Sequence, residues 1–251
     1  MKRQDFIDLS YVEETLWWFR GMREVSAKML DPYLAKMEQP KIADIGCGTG
    51  INLKWLERYT SKDRIFGLDF DRDALRFCKE FAPRRLLQGS AVCPPFPDNS
   101  FDVITSFDVL VQVSQEEARE ALHEAYRILK PKGLLFVRVA AYQWMRSGHD
   151  QALGSQHRYS LSRLKNDLQD CGFVIERSTY ANMFLFPIAV IGRLLMKPLG
   201  LAHNGSDVKA LPSELLNKFF TKIMALEALT LSSKDYYLPF GLSAIAVARK
   251  S

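Results

Sequence analysis

Past its first forty residues the chain alternates between two rhythms. Short runs with almost no polar residue, Ile42–Ile45, Ile65–Leu68, Leu86–Leu87, Val103–Thr105 and Leu134–Val139, are separated by stretches whose apolar residues recur every three or four positions. The first rhythm predicts strands buried on both faces, the second amphipathic helices. The clearest helix covers Glu116 to Leu129, where Ala118, Leu122, Ala125 and Leu129 fall on one face, and "KPKG" then ends it and begins the next strand. A second helix, Leu161 to Cys171, puts Leu161, Leu164, Leu168 and Cys171 on one side and stops at Gly172, with Phe173–Thr179 following as a strand. Alternation of this kind predicts a doubly wound α/β fold, a mostly parallel sheet covered on both faces. In such sheets the ligand sits beyond the carboxyl ends of the strands, so the residues just after each strand are the ones to inspect.

Composition narrows the reading only a little. At 251 residues, 47% hydrophobic and 25% charged, the chain has ordinary globular content, and one domain over 1–251 is the expectation. The net charge of +5 is scattered; Arg84-Arg85 is a doublet, and no Lys/Arg run is long enough to suggest a nucleic-acid tail. Cys47, Cys78, Cys93 and Cys171 form no CxxC pair and no zinc-ligand spacing, so no metal is expected. Met1 to Ser10 is polar and charged, unlike a secretory signal, and free thiols in a reducing cytoplasm are the simplest account. Met183 to Leu201 is strongly apolar, but Arg193, Lys197 and two prolines interrupt it. Its charge-free part is about ten residues where a spanning helix needs roughly twenty, so no transmembrane segment is expected.

The chemistry concentrates in "KIADIGCGTG", Lys41 to Gly50. Gly46, Gly48 and Gly50 read G-x-G-x-G, one residue short of the dinucleotide fingerprint, and no Lys-Ser/Thr follows to make a phosphate loop. Asp44 stands where a phosphate would be repelled and a positive group welcomed. Asp69 follows Gly50 by nineteen residues, about where an acid can accept from both ribose hydroxyls. The implied ligand has a ribose, a cationic end and no need of phosphate contacts. S-adenosylmethionine meets all three conditions, and a nicotinamide dehydrogenase fits poorly.

These motifs resemble the class I S-adenosylmethionine-dependent methyltransferases. "IADIGCGTG" is similar to their first motif and "IFGLDFD" to their second strand and ribose acid. "GSAVCPPFPDNSFDVITS" resembles their adenine-side loop and fourth strand, and "EALHEAYRILKPKGLLFVRV" the helix and fifth strand after it, so the likeness covers residues 41 to 140. "WWFRGMRE", "HDQALGSQHRYS" and "LPFGLSAIAVARK" resemble a bacterial subgroup described as type 11 methyltransferases. The resemblance implies a Rossmann-like methyltransferase fold of seven strands, closed by an antiparallel hairpin of Phe173–Thr179 and Leu242–Ala248. It implies that Asp44, Gly46, Cys47 and Gly48 lie against the methionine moiety and that Asp69 binds the ribose with Phe70 beside the adenine. Ser90-Ala91 stand where the family often has an acid for the adenine amino group, and Phe107 would offer backbone contacts to the ligand's amino group.

A sulfonium methyl is already activated, so alignment is the protein's main task, and a base is needed only if the acceptor must lose a proton. Gln112 fills a site where many relatives place a histidine, and His123 reads as a surface or boundary residue. That leaves His149 and His157 as candidate bases, in a loop whose Tyr142, Trp144, Arg158 and Tyr159 read as a substrate wall; Asp150 could hold His149, and the competing reading is loop anchoring. At the start of the chain, residues 1–38 read as a helical lid in which Trp17, Trp18 and Arg20 cover the site. The core sheet takes 39–181 and 241–251. Residues 182–240 are a helical insertion whose apolar stretch, and the helix with Leu216, Phe219, Ile223 and Leu226 in register, must cover something. A cap over an apolar pocket, a homodimer interface and a peripheral membrane contact are the three uses open to it. The expected function is methyl transfer from S-adenosylmethionine to a small, apolar acceptor on O or N, with no nucleic-acid partner. The alternative is a catalytically silent cofactor-binding partner or regulatory protein.

Overall fold

The computed structural model describes residues 3–79, 85–152, 154–192 and 213–251. Two helices open the chain, α1 (Arg3–Thr15) and α2 (Trp17–Leu34), followed by β1 (Ile42–Ile45), α3 (Ile51–Leu56), β2 (Ile65–Asp69), α4 (Arg72–Cys78) and β3 (Leu86–Gln88). Then come β4 (Phe101–Phe107), α5 (Gln115–Ile128), β5 (Leu129–Ala140), α6 (Gly148–Ala152), α7 (Leu161–Asp170) and β6 (Phe173–Ala181). Helices α8 (Phe186–Ile191) and α9 (Glu214–Thr230) precede the last strand, β7 (Ser243–Lys250). The seven strands form one sheet in the order β3-β2-β1-β4-β5-β7-β6. Pairs from β3 to β5 are parallel, and β7 runs antiparallel between β5 and β6. This is the expected Rossmann-like sheet, hairpin included.

Local rules explain the central elements. All four residues of β1 are buried, as a middle strand covered on both faces requires. Helix α5 starts in a capping box: the Ser114 side chain accepts from the Glu117 N–H while the Glu117 carboxylate accepts from the Ser114 N–H. Its inward stripe is Ala118, Ala121, Leu122, Ala125 and Ile128, and Leu129 already belongs to β5. The core divides across the sheet. One side packs α2, α3 and α9 through Met22, Val25, Met29, Leu53, Phe136 and Met224; the other packs α5 and α7 through Leu122, Ile128, Leu164 and Leu168.

The segment between β6 and β7 departs from the expected packing. Part of the apolar stretch 183–201 lies outside the described residues. In α9 the expected register Leu216, Phe219, Ile223 and Leu226 splits: Ile223 packs against the core, whereas Leu216, Phe219 and Leu226 are exposed, at 49%, 57% and 58%, and Met224, Glu227 and Ala228 face inward. The reason is polar. Glu227, fully buried, accepts the backbone N–H groups of Asn182, Met183 and Phe184 at 2.5, 2.6 and 3.0 Å, which rotates the helix so that an acid faces the protein. Opposite, Gly21 on α2 admits Met224 so closely that a Cβ there would lie 2.4 Å from the Met224 Cβ. Thus α9 docks on α2. Among the described residues no helix is long and apolar enough to cross a membrane.

Candidate functional site

The carboxyl ends of β1, β2 and β4 form a cradle, and its backbone is set by glycine. Gly46, Gly48 and Gly50 all have positive φ, at 77°, 54° and 86°. At Gly46 a side chain is excluded twice, because a Cβ would also meet Val109 Cγ2 at 2.2 Å. At Gly48 nothing lies within 4 Å of where a Cβ would stand, so the space beside this backbone is open. The N–H groups of Gly46 and Cys47 both donate to the Leu68 carbonyl, at 2.7 and 3.0 Å, fastening the turn to β2. Cys47 itself points down, its sulfur 3.9 Å from that of Cys78.

Two acids flank this turn. Asp44 is fully buried; its Oδ1 accepts from Thr105 Oγ1 on the neighbouring strand at 2.7 Å, and its Oδ2 has no partner among the described residues. Burial pushes its carboxyl up to about 7, against the lowering effect of the Thr105 bond. Asp69 ends β2 and accepts the Gly48 N–H on Oδ2 and the Asp71 N–H on Oδ1, both at 2.8 Å. Burial raises it as well, opposed by these backbone bonds. Each of its oxygens keeps a lone pair for a further donor. Phe70, next along, is 78% exposed at the rim. Ser90 and Ala91 lie in the half-buried turn after β3, where Ser90 Oγ accepts from Val92 N–H at 3.3 Å. Phe107 is buried between Trp55 and Phe136, with ring centroids 6.1 and 5.3 Å away.

The N-terminal helices reach this cradle with different residues than the aromatic pair alone. Trp17 turns toward the insertion: its N–H donates to Asn217 Oδ1 at 2.8 Å and its ring meets Phe220 at 5.3 Å. Trp18 covers Arg138, whose guanidinium carbon lies 5.1 Å from its ring. Arg20 is exposed. From α1, Glu13 accepts a hydrogen bond from Thr49 Oγ1 in the glycine turn, and burial pushes its carboxyl up to about 7. Arg23 Nη2 donates to the Glu13 carbonyl at 2.9 Å. Arg138, buried in β5, holds Asp108 through Nε and Nη2 at 2.9 and 2.6 Å and so fixes the positive-φ turn after β4.

Beyond β5 the structure brings some of the sequence-derived acceptor residues together and separates others. Tyr142 and Trp144 join Tyr180, Phe186 and Phe240 in a chain of ring contacts: Tyr142 stacks on Tyr180 at 5.1 Å, meets Phe186 at 5.6 Å, and Phe186 meets Phe240 at 5.5 Å. Trp144, half exposed, completes the wall at 5.7 Å from Tyr142. Arg158 is buried and bound to Asp150, Nε to Oδ1 at 2.7 Å and Nη2 to Oδ2 at 3.1 Å, while Nη1 donates to the Ala141 carbonyl. Burial would raise Asp150, but the Arg158 bond and charge, with Ser147, hold it below the ordinary range. His157 and Tyr159 face the α5 and α7 side, 5.1 Å apart, and both imidazole nitrogens and the tyrosine hydroxyl lack partners among the described residues. Burial lowers His157 and raises Tyr159 to about 12. The side chain of His149 lies outside the described residues. Gln112 is exposed, its amide 3.3 Å from the Asp108 carbonyl.

Sequence reasoning missed Glu13, Thr49, Thr105, Arg138 and Glu227. One of them carried a signal: Arg138 interrupts the apolar run "LLFVRV", and a cation inside a buried strand needs an acid close by. Glu13 carried none, since its place over the turn follows only from how α1 docks.

Comparison with known proteins now has a geometry to meet. Residues 43–137 match the methyltransferase domain family Methyltransf_11. The chain is 31% identical over 169 residues to an uncharacterized methyltransferase, C1B3.06c, of Schizosaccharomyces pombe, covering 61% of this chain and 59% of that one. It is 28% identical over 144 residues to the tRNA N(3)-methylcytidine methyltransferase Mettl2 of Drosophila melanogaster, covering 52% and 43%. The chain thus spans about half the length of these curated relatives. A SAM-dependent methyltransferase of Thermotoga maritima shares the fold with a TM-score of 0.61 at 16% identity, over 99% of this chain and 97% of that one. Sheet order, glycine turn and acids agree with these matches: residues 43–137 are a methyltransferase domain, set in the class I S-adenosylmethionine-dependent methyltransferase fold.

Proposed function

We propose that this protein transfers a methyl group from S-adenosylmethionine to oxygen or nitrogen of a small, largely apolar acceptor. The observation that carries the cofactor half is the free, buried Oδ2 of Asp44 beside the open backbone of Gly48. A buried carboxylate oxygen without a partner is costly, and a positive ligand group relieves it. Asp44, Gly46, Cys47 and Gly48 would hold the methionine end, Asp69 the ribose, and Phe70, Ser90 and Ala91 the adenine side. When bound, S-adenosylmethionine supplies a methyl already activated by a sulfonium.

What remains for the chain is to bind and orient the acceptor and keep water out. The aromatic wall of Tyr142, Trp144, Tyr180, Phe186 and Phe240 supports an apolar acceptor, since five rings offer large faces and few polar groups. Docking of α9 on α2 supports a cap made jointly by the N-terminal helices and the insertion. Four cysteines outside any disulfide suit a cytoplasmic setting. Burial of His157 favours acceptors that need no protein base; phenolates and neutral amines qualify.

An acceptor screen tests this. Purified protein is given S-adenosylmethionine carrying a labelled methyl together with phenols, apolar alcohols and amines, with unmodified tRNA as a separate arm because one relative is named for tRNA. Label appearing on a phenol or amine is the expected result. Label on tRNA alone would overturn the small-molecule reading. Tight S-adenosylhomocysteine binding with no turnover on any arm would favour the silent cofactor-binding partner.

A further inference from the structure

Glu13 is the one acid of the cradle that comes from the lid. It projects from α1 onto the glycine turn, where its carboxylate accepts only the Thr49 hydroxyl among the described residues. Arg23 and Arg138 lie close enough to pull the Glu13 carboxyl down against burial, but neither forms an ion pair with it among the described residues. Arg23 on α2 donates to the Glu13 carbonyl, not to the carboxylate. Arg138 on β5 is committed to Asp108, and Lys54 on α3 lies 3.7 Å from the neighbouring Glu14. The pattern repeats that of Asp44. Asp44 is fully buried and Glu13 half-buried, each holds one threonine hydroxyl, and neither has an ion pair among the described residues. Asp44 sits in the strand before the turn, and Glu13 meets the turn's Thr49 from α1.

Two carboxylates at one turn, neither held in an ion pair among the described residues, describe a site for a positive group with several donors. We infer that Glu13 binds the ammonium of the cofactor's amino-acid end, so that the lid closes on the ligand through a charged contact and not only through its aromatic residues. This rests on the S-adenosylmethionine reading above. The ammonium is the fitting cation, because it can be enclosed on all sides, whereas the sulfonium must keep its methyl open to in-line attack. Chemical consequence follows for selectivity: Glu13 makes the lid read the amino-acid end, and an adenosine thioether lacking that end gains nothing from it. Burial raises the carboxyl of Glu13 in the free protein, in keeping with a charge that awaits its partner.

Calorimetric titration of the full chain tests this with two probes. S-adenosylhomocysteine carries the ammonium; 5′-methylthioadenosine keeps the adenosine and thioether but lacks the amino-acid end. Glu13→Gln should weaken S-adenosylhomocysteine by about tenfold or more, the scale of one charge-assisted hydrogen bond, while 5′-methylthioadenosine stays within about twofold. Equal losses for both probes would mean that Glu13 only latches the lid, and no loss for either would mean that it touches no ligand; both overturn the inference. A second variant, Thr49→Val, removes the latch partner but keeps the carboxylate, and should preserve the preference for S-adenosylhomocysteine. Loss of that preference would again make Glu13 a latch. If the parent protein binds neither probe, the cofactor reading itself fails, which is a distinct result.

Discussion

The two halves of the site are built by different means. The cofactor half is a turn of glycines between two strand ends, and its geometry is dictated by backbone: three positive φ angles, two N–H groups on the Leu68 carbonyl, and acids at the next-to-last position of β1 and the last of β2. The proposed acceptor half would draw on side chains of the loop after β5, of β6, of α8 and of the approach to β7, and polar staples hold these segments. Arg158–Asp150 fixes the loop after β5, and Glu227 fixes the turn after β6. Backbone geometry is local and tolerates no substitution at its few key positions. Side-chain staples join distant segments and can be rebuilt with other residues. The difference teaches why a common cofactor and a private acceptor can share one sheet.

The largest expected effect comes from breaking a staple. Arg158→Ala leaves Asp150, itself nearly fully buried, with an uncompensated charge, and should cost about 3–5 kcal/mol in urea unfolding. Next is Glu227→Ala, which strands three backbone N–H groups inside the protein. A loss of roughly 2–4 kcal/mol is expected, with the α9 amides losing protection in hydrogen exchange before those of the sheet. If either variant instead removed S-adenosylhomocysteine binding while leaving stability intact, the division between the halves would be wrong.

Smaller effects sharpen the contrast. Asp44 and Glu13 are both raised to about 7, above their unfolded values, so the ligand-free protein holds extra protons between about pH 4 and 7. Their stabilising contribution is present below the unfolded pKa values and is lost as pH rises through about 7. Binding of a cation needs the ionised acids, so S-adenosylhomocysteine affinity should rise severalfold from about pH 6 to 8, and Asp44→Asn should flatten that slope. Phe186→Leu, which thins the aromatic wall, should raise the acceptor KM a few-fold, by roughly 1 kcal/mol, and leave the cofactor affinity unchanged when both are titrated.

The same contrast explains what could be read from the chain beforehand. Strand positions were legible because parallel strands buried on both faces leave continuous apolar runs, and Ile42–Ile45 came out with the expected bounds. Asp44 and Asp69 were legible because position after a strand decides their role. The face of α9 was not, because periodicity assumes that acids face water while Glu227 faces three N–H groups forty-odd residues away. Glu13 was invisible for a related reason: docking of α1, not any local pattern, puts it on Thr49. His157 read as an open candidate in the sequence because loops are usually exposed; here the backbone path turns its ring toward Tyr159 under α7.

The break between α1 and α2 at Leu16 is clasped by Asn217 of α9 in both directions. Its Oδ1 accepts the Trp17 N–H at 2.8 Å and its Nδ2 donates to the Thr15 carbonyl at 2.9 Å. A hinge held this way cannot swing independently of the helix that clasps it. Lifting α1 from the glycine turn therefore strains α9 as well, and under the proposed cap one door would serve two guests. Traffic through such a door is sequential: the larger guest enters first and leaves last. Steady-state kinetics should accordingly show S-adenosylhomocysteine competing with S-adenosylmethionine and the methylated product competing with neither substrate, the signature of compulsory order.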